Sequence, residues 1–274
     1  MPELPEVETI VRDIRPALLG RRLDRVSLSH TDVLRSVSRR RLLRELTGAT
    51  VRAVFRRAKH AVLDLGELRL VIQPGMTGSL MVQKRPLNEN DERYAVLRAT
   101  LDNGRELVYH DVRRLGTLLL LDRKGWERYS GAIGPEPLDD DFTPQRLGEI
   151  LRPSRQAVKK VIMDQRRLAG VGNIYANEAL FAARIDPSKP ARRLEPDDHR
   201  RLHTEIRRIL TAAIDSSGTT IRDYRTGTGE PGEFQLELLV YGREGEPCRR
   251  CGTRLTGTHA IDARITVFCH RCQS

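Results

Sequence analysis

The sequence predicts an α+β protein of two domains, a β-rich N-terminal half and a helical C-terminal half that ends in a four-cysteine module. Three observations carry this. Short β-type runs separated by turn residues fill the chain up to residue 122. A Gly-, Pro- and Asp-rich stretch, SGAIGPEPLDDDF at 130–142, then marks a linker. Beyond it the apolar residues recur at helical spacing until the cysteines begin at Cys248. At 274 residues the chain is long enough for two cores, taking about 100–200 residues per domain.

The elements follow in order. In the opening MPELPEVE, Pro5 suits a helix start and Glu6 and Glu8 suit its positive end. Val7, Ile10, Val11, Ile14 and Leu18 continue at helical spacing, so a helix is expected over 5–18. Pro2 and Glu3 lie ahead of that helix, and helix chemistry does not account for them. Residues 21–30, 49–56, 59–65, 68–73, 94–102, 106–110 and 116–122 read as strands, with a second helix at about 36–46. Their spacing and turns favour a sandwich or barrel over a βαβ sheet. Helices are expected at 143–151, 154–167, 174–183 and 195–215, and a Gly-rich stretch at 216–234 leads into the cysteines. There is no internal repeat.

Forty-eight Lys and Arg against 37 Asp and Glu leave a net charge of +11. That balance favours a polyanion such as nucleic acid. Aromatic residues are only 4 % of the chain, which argues against a single-strand binder built on stacking platforms and fits duplex binding through phosphates better. No stretch resembles a signal peptide or a membrane span, so a soluble cytoplasmic protein is expected. The cysteines form the pattern C-x2-C-x17-C-x2-C, from Cys248 and Cys251 to Cys269 and Cys272. That spacing suits a structural four-thiolate zinc site. The alternative, two disulfides, belongs to secreted proteins.

Three constellations can carry chemistry. In LAGVGNIYANEALF, at 168–181, glycines precede a helix that Asn173 opens. Its free N–H groups and neutral amide suit a phosphate, although an ordinary Asn cap explains the pattern equally well. In QPGMTG (73–78) and DVRRLG (111–116), Met76, Arg113 and Leu115 can fill the gap left by an extruded base, or Met76 and Leu115 can simply belong to the core. At the N-terminus, loss of Met1 would free the secondary amine of Pro2. An α-amine titrates near pH 8, so part of it is neutral and nucleophilic. Attack on a sugar C1′ gives an iminium ion, which acidifies the C2′ hydrogen and permits elimination of the 3′-phosphate, with Glu3 moving protons. A disordered tail is the ordinary alternative for a terminus.

Together these motifs resemble the formamidopyrimidine-DNA glycosylase/endonuclease VIII family. MPELPEVE is similar to the N-terminus of its formamidopyrimidine branch, DQRRLAGVGNIYANEALF to its helix–two-turn–helix, and ELLVYGREGEPCRRCGT with DARITVFCHRCQ to its zinc finger. The resemblance implies an N-terminal β-sandwich with flanking helices over 1–131, a linker at 132–142, a helical helix–two-turn–helix domain over 143–234, and a β-hairpin zinc finger over 235–274. It implies a monomeric DNA glycosylase/AP lyase of base excision repair. The expected substrate is double-stranded DNA carrying 8-oxoguanine or formamidopyrimidines opposite cytosine, cleaved by β,δ-elimination. One structural Zn2+ is expected, with no nucleotide cofactor and no membrane partner.

At matching positions the resemblance makes Pro2 the nucleophile, Glu3 the acid–base residue, Glu6 its support and Lys59 a phosphate contact beside the lesion. Lys159, Asn173, Tyr241 and Arg264 match further phosphate contacts. Met76 and Arg113 match the side chains that fill the vacated space. Ser217, Gly218, Thr219, Thr220, Ile221, Arg222, Asp223 and Tyr224 match the loop that closes over the extruded base. Two departures stand out: Leu115 where many members carry Phe, and Gln73-Pro74 in place of the commoner His-Leu. An endonuclease VIII-like preference for oxidised pyrimidines, a non-catalytic zinc DNA-binding protein and a structural or RNA-associated zinc ribbon are the rival readings. The latter two leave the Pro2–Glu3 pair without a use.

Overall fold

Helix α1 (Leu4–Leu18) buries Val7, Ile10, Val11, Ile14 and Leu18 along one stripe, as the spacing predicts. The computed structural model describes residues 2–83, 89–220 and 224–274. They divide into two units. One runs to Gly131 and takes in Ser216–Glu233; the other comprises Ala132–Asp215 and Phe234–Ser274.

In the first unit α1 is followed by β1 (Leu23–Leu28), α2 (Arg39–Leu46), β2 (Ala53–Arg57), β3 (His60–Asp64), β4 (Leu68–Gln73) and β5 (Gly78–Gln83). Then come α3 (Glu89–Glu92), β6 (Ala95–Leu101), β7 (Glu106–Asp111), β8 (Thr117–Asp122) and α4 (Arg123–Gly131). The strands make two four-stranded sheets, ordered β1-β6-β7-β5 and β2-β3-β4-β8, with every pairing antiparallel. Leu80, Leu97 and Tyr109 of one sheet and Leu63, Leu70 and Ile72 of the other share one core with α1. That is the β-sandwich expected.

Three elements were not anticipated: β5, the short α3 and α4. Strand β5 starts on Gly78, directly behind a Gly- and Pro-containing loop, and its turn chemistry masks the apolar run that follows. Helix α4 has no fully buried residue; Trp126 instead stacks edge-on against Phe55, and Tyr129 against His60. Helix α2 is shorter than expected because Ser38 caps it, its hydroxyl accepting from Arg41 N–H.

Residues 216–233 also differ from the expected boundary, since they cluster with the sandwich unit and not with the helices. Tyr224 joins the sandwich core, and Gly227 N–H donates to Asp13 on α1 at 2.9 Å. Burial raises the Asp13 carboxyl above its ordinary range.

The second unit contains α5 (Pro144–Leu151), α6 (Val158–Met163), α7 (Asn173–Ala182), α8 (Pro196–Asp215) and a hairpin of β9 (Thr256–Thr258) and β10 (Thr266–Phe268). Helix α6 is much shorter than the 154–167 expected. After Met163 the Gln165 side chain donates to the carbonyls of Met163 and Val171 and accepts from Gly170 N–H, which folds the chain into the turn before α7. The linker-like stretch is strapped down: Gly134 N–H donates to Gln165 O, Ala169 N–H to Pro135 O, and Arg207 to the carbonyls of Pro137 and Asp139. No helix among the described residues is long and apolar enough to cross a membrane.

Candidate functional site

Pro2 and Glu3 precede the first turn of α1, and both are buried. Glu3 is the N-cap and shares a reciprocal capping box with Glu6. Its own N–H donates to Glu6 Oε2 at 2.7 Å. The other Glu6 oxygen accepts from Thr219 N–H at 2.8 Å. One carboxylate therefore fixes both the residue after Pro2 and the segment that the sequence assigned to a base-covering loop. Gly218 has φ +81, and a Cβ there would stand 3.1 Å from Glu6 Cγ, so the loop approaches Glu6 only because this residue is glycine.

Tyr224, which the sequence assigned to the same base-covering loop, donates towards the carbonyls of Glu6 and Ser217, each at 3.2 Å. Burial and then the Glu6 charge push its phenol pKa up, which keeps it a donor. Ser217, Thr219, Thr220 and Tyr224 thus join a network with α1, while Ile221, Arg222 and Asp223 lie outside the described residues. Met1 does too. Lys59 lies in the two-residue turn between Arg57 and His60, which pair across β2 and β3. Ala58 takes φ +51 there, and Lys59 is only 5 % exposed.

Two loops of the same unit carry the candidate wedge residues. Met76 is 44 % exposed and Leu115 51 %, unlike core residues. Arg113 Nη1 lies 3.6 Å from Met76 Sδ. Beneath them the fully buried Asp111 accepts from Thr77 Oγ1, Tyr109 Oη and Gly116 N–H. Leu115 lacks the stacking face of an aromatic residue. On the wedge role expected from the sequence, Leu115→Phe should sharpen discrimination between lesion and intact duplex and increase kinking. Paired excision and bending assays check this, and unchanged values in both would contradict it.

In the second unit, Asn173 opens α7 behind Gly172 and donates to Ile265 O at 3.1 Å. Asn177 accepts from Val267 N–H. Lys159, expected at a phosphate, is fully enclosed, and its ammonium donates to Thr266 Oγ1 at 2.8 Å and to Ile265 O at 3.3 Å. In this structure it braces the hairpin beside Arg264. The Arg264 guanidinium is exposed and paired with Asp262, whose carboxyl stays below its ordinary range because hydrogen bonds and the charge of Arg264 outweigh burial.

Glu178, unnoticed in the sequence, accepts from the N–H groups of Leu239, Val240 and Tyr241 at 2.7–2.9 Å. Burial raises its carboxyl above the ordinary range in spite of those bonds. It anchors the half-buried Tyr241 and the chain that enters the cysteine module.

The four cysteines converge, with all their sulfurs within 4.8 Å of one another. Cys251 Sγ and Cys269 Sγ are 3.6 Å apart, close to the roughly 3.8 Å that four Zn–S bonds of about 2.3 Å give in a tetrahedron. Hydrogen bonds from Thr253 lower the Cys251 thiol to about 6, whereas burial pushes Cys272 up to about 12. A cation at their centre would hold all four as thiolates. Soft donors at this spacing fit a structural metal.

Comparison with known proteins adds the following. The family model described as the formamidopyrimidine-DNA glycosylase N-terminal domain matches residues 1–118, and that of the H2TH domain matches residues 133–225. Formamidopyrimidine-DNA glycosylase of Stutzerimonas stutzeri is 44 % identical over 274 residues, covering 100 % of both chains. That of Chloroflexus aurantiacus is 40 % identical, covering 100 % of this chain and 98 % of its own. Among solved structures, a Lactococcus lactis FPG mutant in complex with a Fapy-dG containing DNA superposes with a TM-score of 0.90 at 33 % identity, covering 100 % of each chain. The MutM (FPG) protein of Thermus thermophilus gives 0.86 at 38 % identity, covering 99 % and 98 %.

Proposed function

The chain belongs to the formamidopyrimidine-DNA glycosylase family, and on that premise we propose that it is a bifunctional DNA glycosylase/AP lyase of base excision repair acting on 8-oxoguanine and formamidopyrimidines opposite cytosine. The observation that carries the mechanism is the Glu3–Glu6 box at the head of α1. It fixes Glu3, the residue that follows Pro2, and ties Glu6 to the Thr219 segment that would cover the base.

With Met1 removed, the Pro2 nitrogen attacks C1′ of the damaged nucleoside. That attack displaces the base, which leaves with the proton the amine gives up. The C1′–O4′ bond then opens with a proton from Glu3, and the nitrogen lone pair forms the iminium that links Pro2 to the sugar. Because the iminium withdraws electrons, C2′ loses a proton and the 3′-phosphate departs. A second elimination expels the 5′-phosphate and leaves a one-nucleoside gap. Glu6 keeps the Glu3 backbone in place and tethers the Thr219 segment throughout.

Cys248, Cys251, Cys269 and Cys272 would hold one Zn2+, whose part is structural because four thiolates leave no open position. The ion would stabilise the loop that presents Arg264. Lys59 in one unit, and Asn173, Tyr241 and Arg264 in the other, are the contacts we assign to phosphates. Lys159 acts by bracing Ile265 and Thr266. The protein would work as a monomer in the cytoplasm, on nucleoid DNA.

Duplexes carrying single lesions test the reading. Release of 8-oxoguanine and formamidopyrimidine faster than thymine glycol supports it, and the reverse order would favour the pyrimidine-directed branch. Binding should weaken linearly in log–log plots against salt, with a slope of about −0.9 per phosphate neutralised. Arg264→Gln should flatten that slope by about 1, and an unchanged slope would remove Arg264 from the interface.

A further inference from the structure

Loops 74–77 and 112–116 each carry the chain from one sheet of the sandwich to the other. The first leads from β4 to β5, the second from β7 to β8, and the strands on either side are paired, Gly78 with Asp111 and Gln73 with Thr117. The crossovers lie against one another: a Cβ on Gly75 would stand 2.5 Å from Gly116 N. Asp111 ends β7 at that junction and is fully buried. Its Oδ1 accepts from Thr77 Oγ1 at 2.6 Å, and its Oδ2 accepts from Tyr109 Oη at 3.0 Å and Gly116 N–H at 2.9 Å. Thr77 Oγ1 in turn accepts from Arg113 N–H at 2.9 Å. Burial, then the Asp111 charge, push the Tyr109 phenol up, so it remains a donor.

We propose that Asp111 is the positioning residue for lesion extrusion: through Thr77 and Gly116 it locks the two crossover loops into one platform that presents Met76, Arg113 and Leu115 to the duplex. The proposal rests on the glycosylase reading. It is motivated by the contrast between a rigid base and exposed tips. Three side chains that must enter a base stack together can do so in register only if their two loops cannot slide independently. A carboxylate suits the task because it offers acceptors on two sides, one for each loop. Thr77 relays the bond onward because its hydroxyl donates to Asp111 while accepting from Arg113.

Asn at position 111 keeps the shape but supplies one acceptor. With its NH2 toward Gly116 the amide would set two N–H donors face to face; with its NH2 toward Thr77 it would donate to Thr77 Oγ1 beside Arg113 N–H and leave the Thr77 hydroxyl proton without its acceptor. Either way one buried donor loses its acceptor, and the tie to that loop weakens. Asp111→Asn is expected to slow extrusion, read by a fluorescent cytosine analogue opposite 8-oxoguanine in stopped flow, by about 10- to 100-fold. Excision of 8-oxoguanine from duplex should fall in parallel. Cleavage of a pre-formed abasic site, which holds no base to extrude, should fall less than about threefold. Thr77→Val should reproduce the split in milder form, and Thr77→Ser should restore wild-type rates.

Equal losses on lesion and abasic duplex, or failure of Thr77→Ser to differ from Thr77→Val, would show a merely structural role and overturn the proposal. Wild-type extrusion rates in Asp111→Asn would overturn it as well, with the functional reading left standing. A wild-type protein that leaves the lesion stacked would overturn both.

Discussion

Replacing Glu3 by glutamine is expected to lower the rate of 8-oxoguanine release by about 10²- to 10⁴-fold, the usual worth of a positioned acid–base group, with lesion binding and thermal stability nearly unchanged. The structural half of Glu3's work survives the change. Its backbone N–H still donates to Glu6 Oε2, and a glutamine oxygen can still accept the Glu6 N–H of the capping box. Only the exchangeable carboxyl proton is lost. Glu6 provides the contrast. Both of its oxygens are engaged, with Glu3 N–H and Thr219 N–H, so Glu6→Gln should also loosen the 216–233 segment and raise KM. Single-turnover excision with a parallel binding titration separates the two variants. If Glu3→Gln excised the lesion at the wild-type rate, Glu3 would have no place in the chemistry.

Removal of the metal proposed for the four cysteines should have an effect as large as any after that of Glu3→Gln, and it should fall on binding. Four-thiolate zinc sites contribute about 10–16 kcal/mol in comparable peptides, whereas the hairpin it would hold is small. Its cluster consists of Val240, Leu255, Val267 and the cysteines against Phe181. Without the ion, the contacts of Lys159, Asn173 and Asn177 to residues 265–267 would be left to order the segment that presents Arg264. Treatment with a strong chelator, or Cys269→Ser, is therefore expected to weaken duplex binding by about 10- to 100-fold, the loss of one charged phosphate contact. The core around α1 lies in the other unit and should keep its own melting transition. Metal analysis, DNA titration and calorimetry of one sample test this; full affinity in a metal-free protein would contradict it.

Local signals in the sequence were enough for α1, most of the strands, α8 and the convergence of the cysteines. Each depends on periodicity, capping or spacing within about 25 residues. What escaped was set by distant partners. Asp111 looks like the end of a strand until Thr77, 34 positions earlier, meets it. Glu178 reads as one more helical acid until it accepts three N–H groups from 61–63 residues further on. Tyr224 bonds Glu6 across 218 positions, and that contact draws 216–233 to the sandwich. Lys159 has the residue type for a phosphate but is enclosed by the hairpin. Its burial against Ile265 and Thr266 is something no local pattern reveals.

Borohydride trapping on an 8-oxoguanine:cytosine duplex, with the protein's N-terminus verified by mass spectrometry, tests the central claim most directly. The account predicts a reduced protein–DNA adduct that maps to Pro2 and disappears when Met1 is retained or Pro2 is acetylated. An adduct on a lysine, or none from protein with a free Pro2 that binds the lesion tightly, would contradict it.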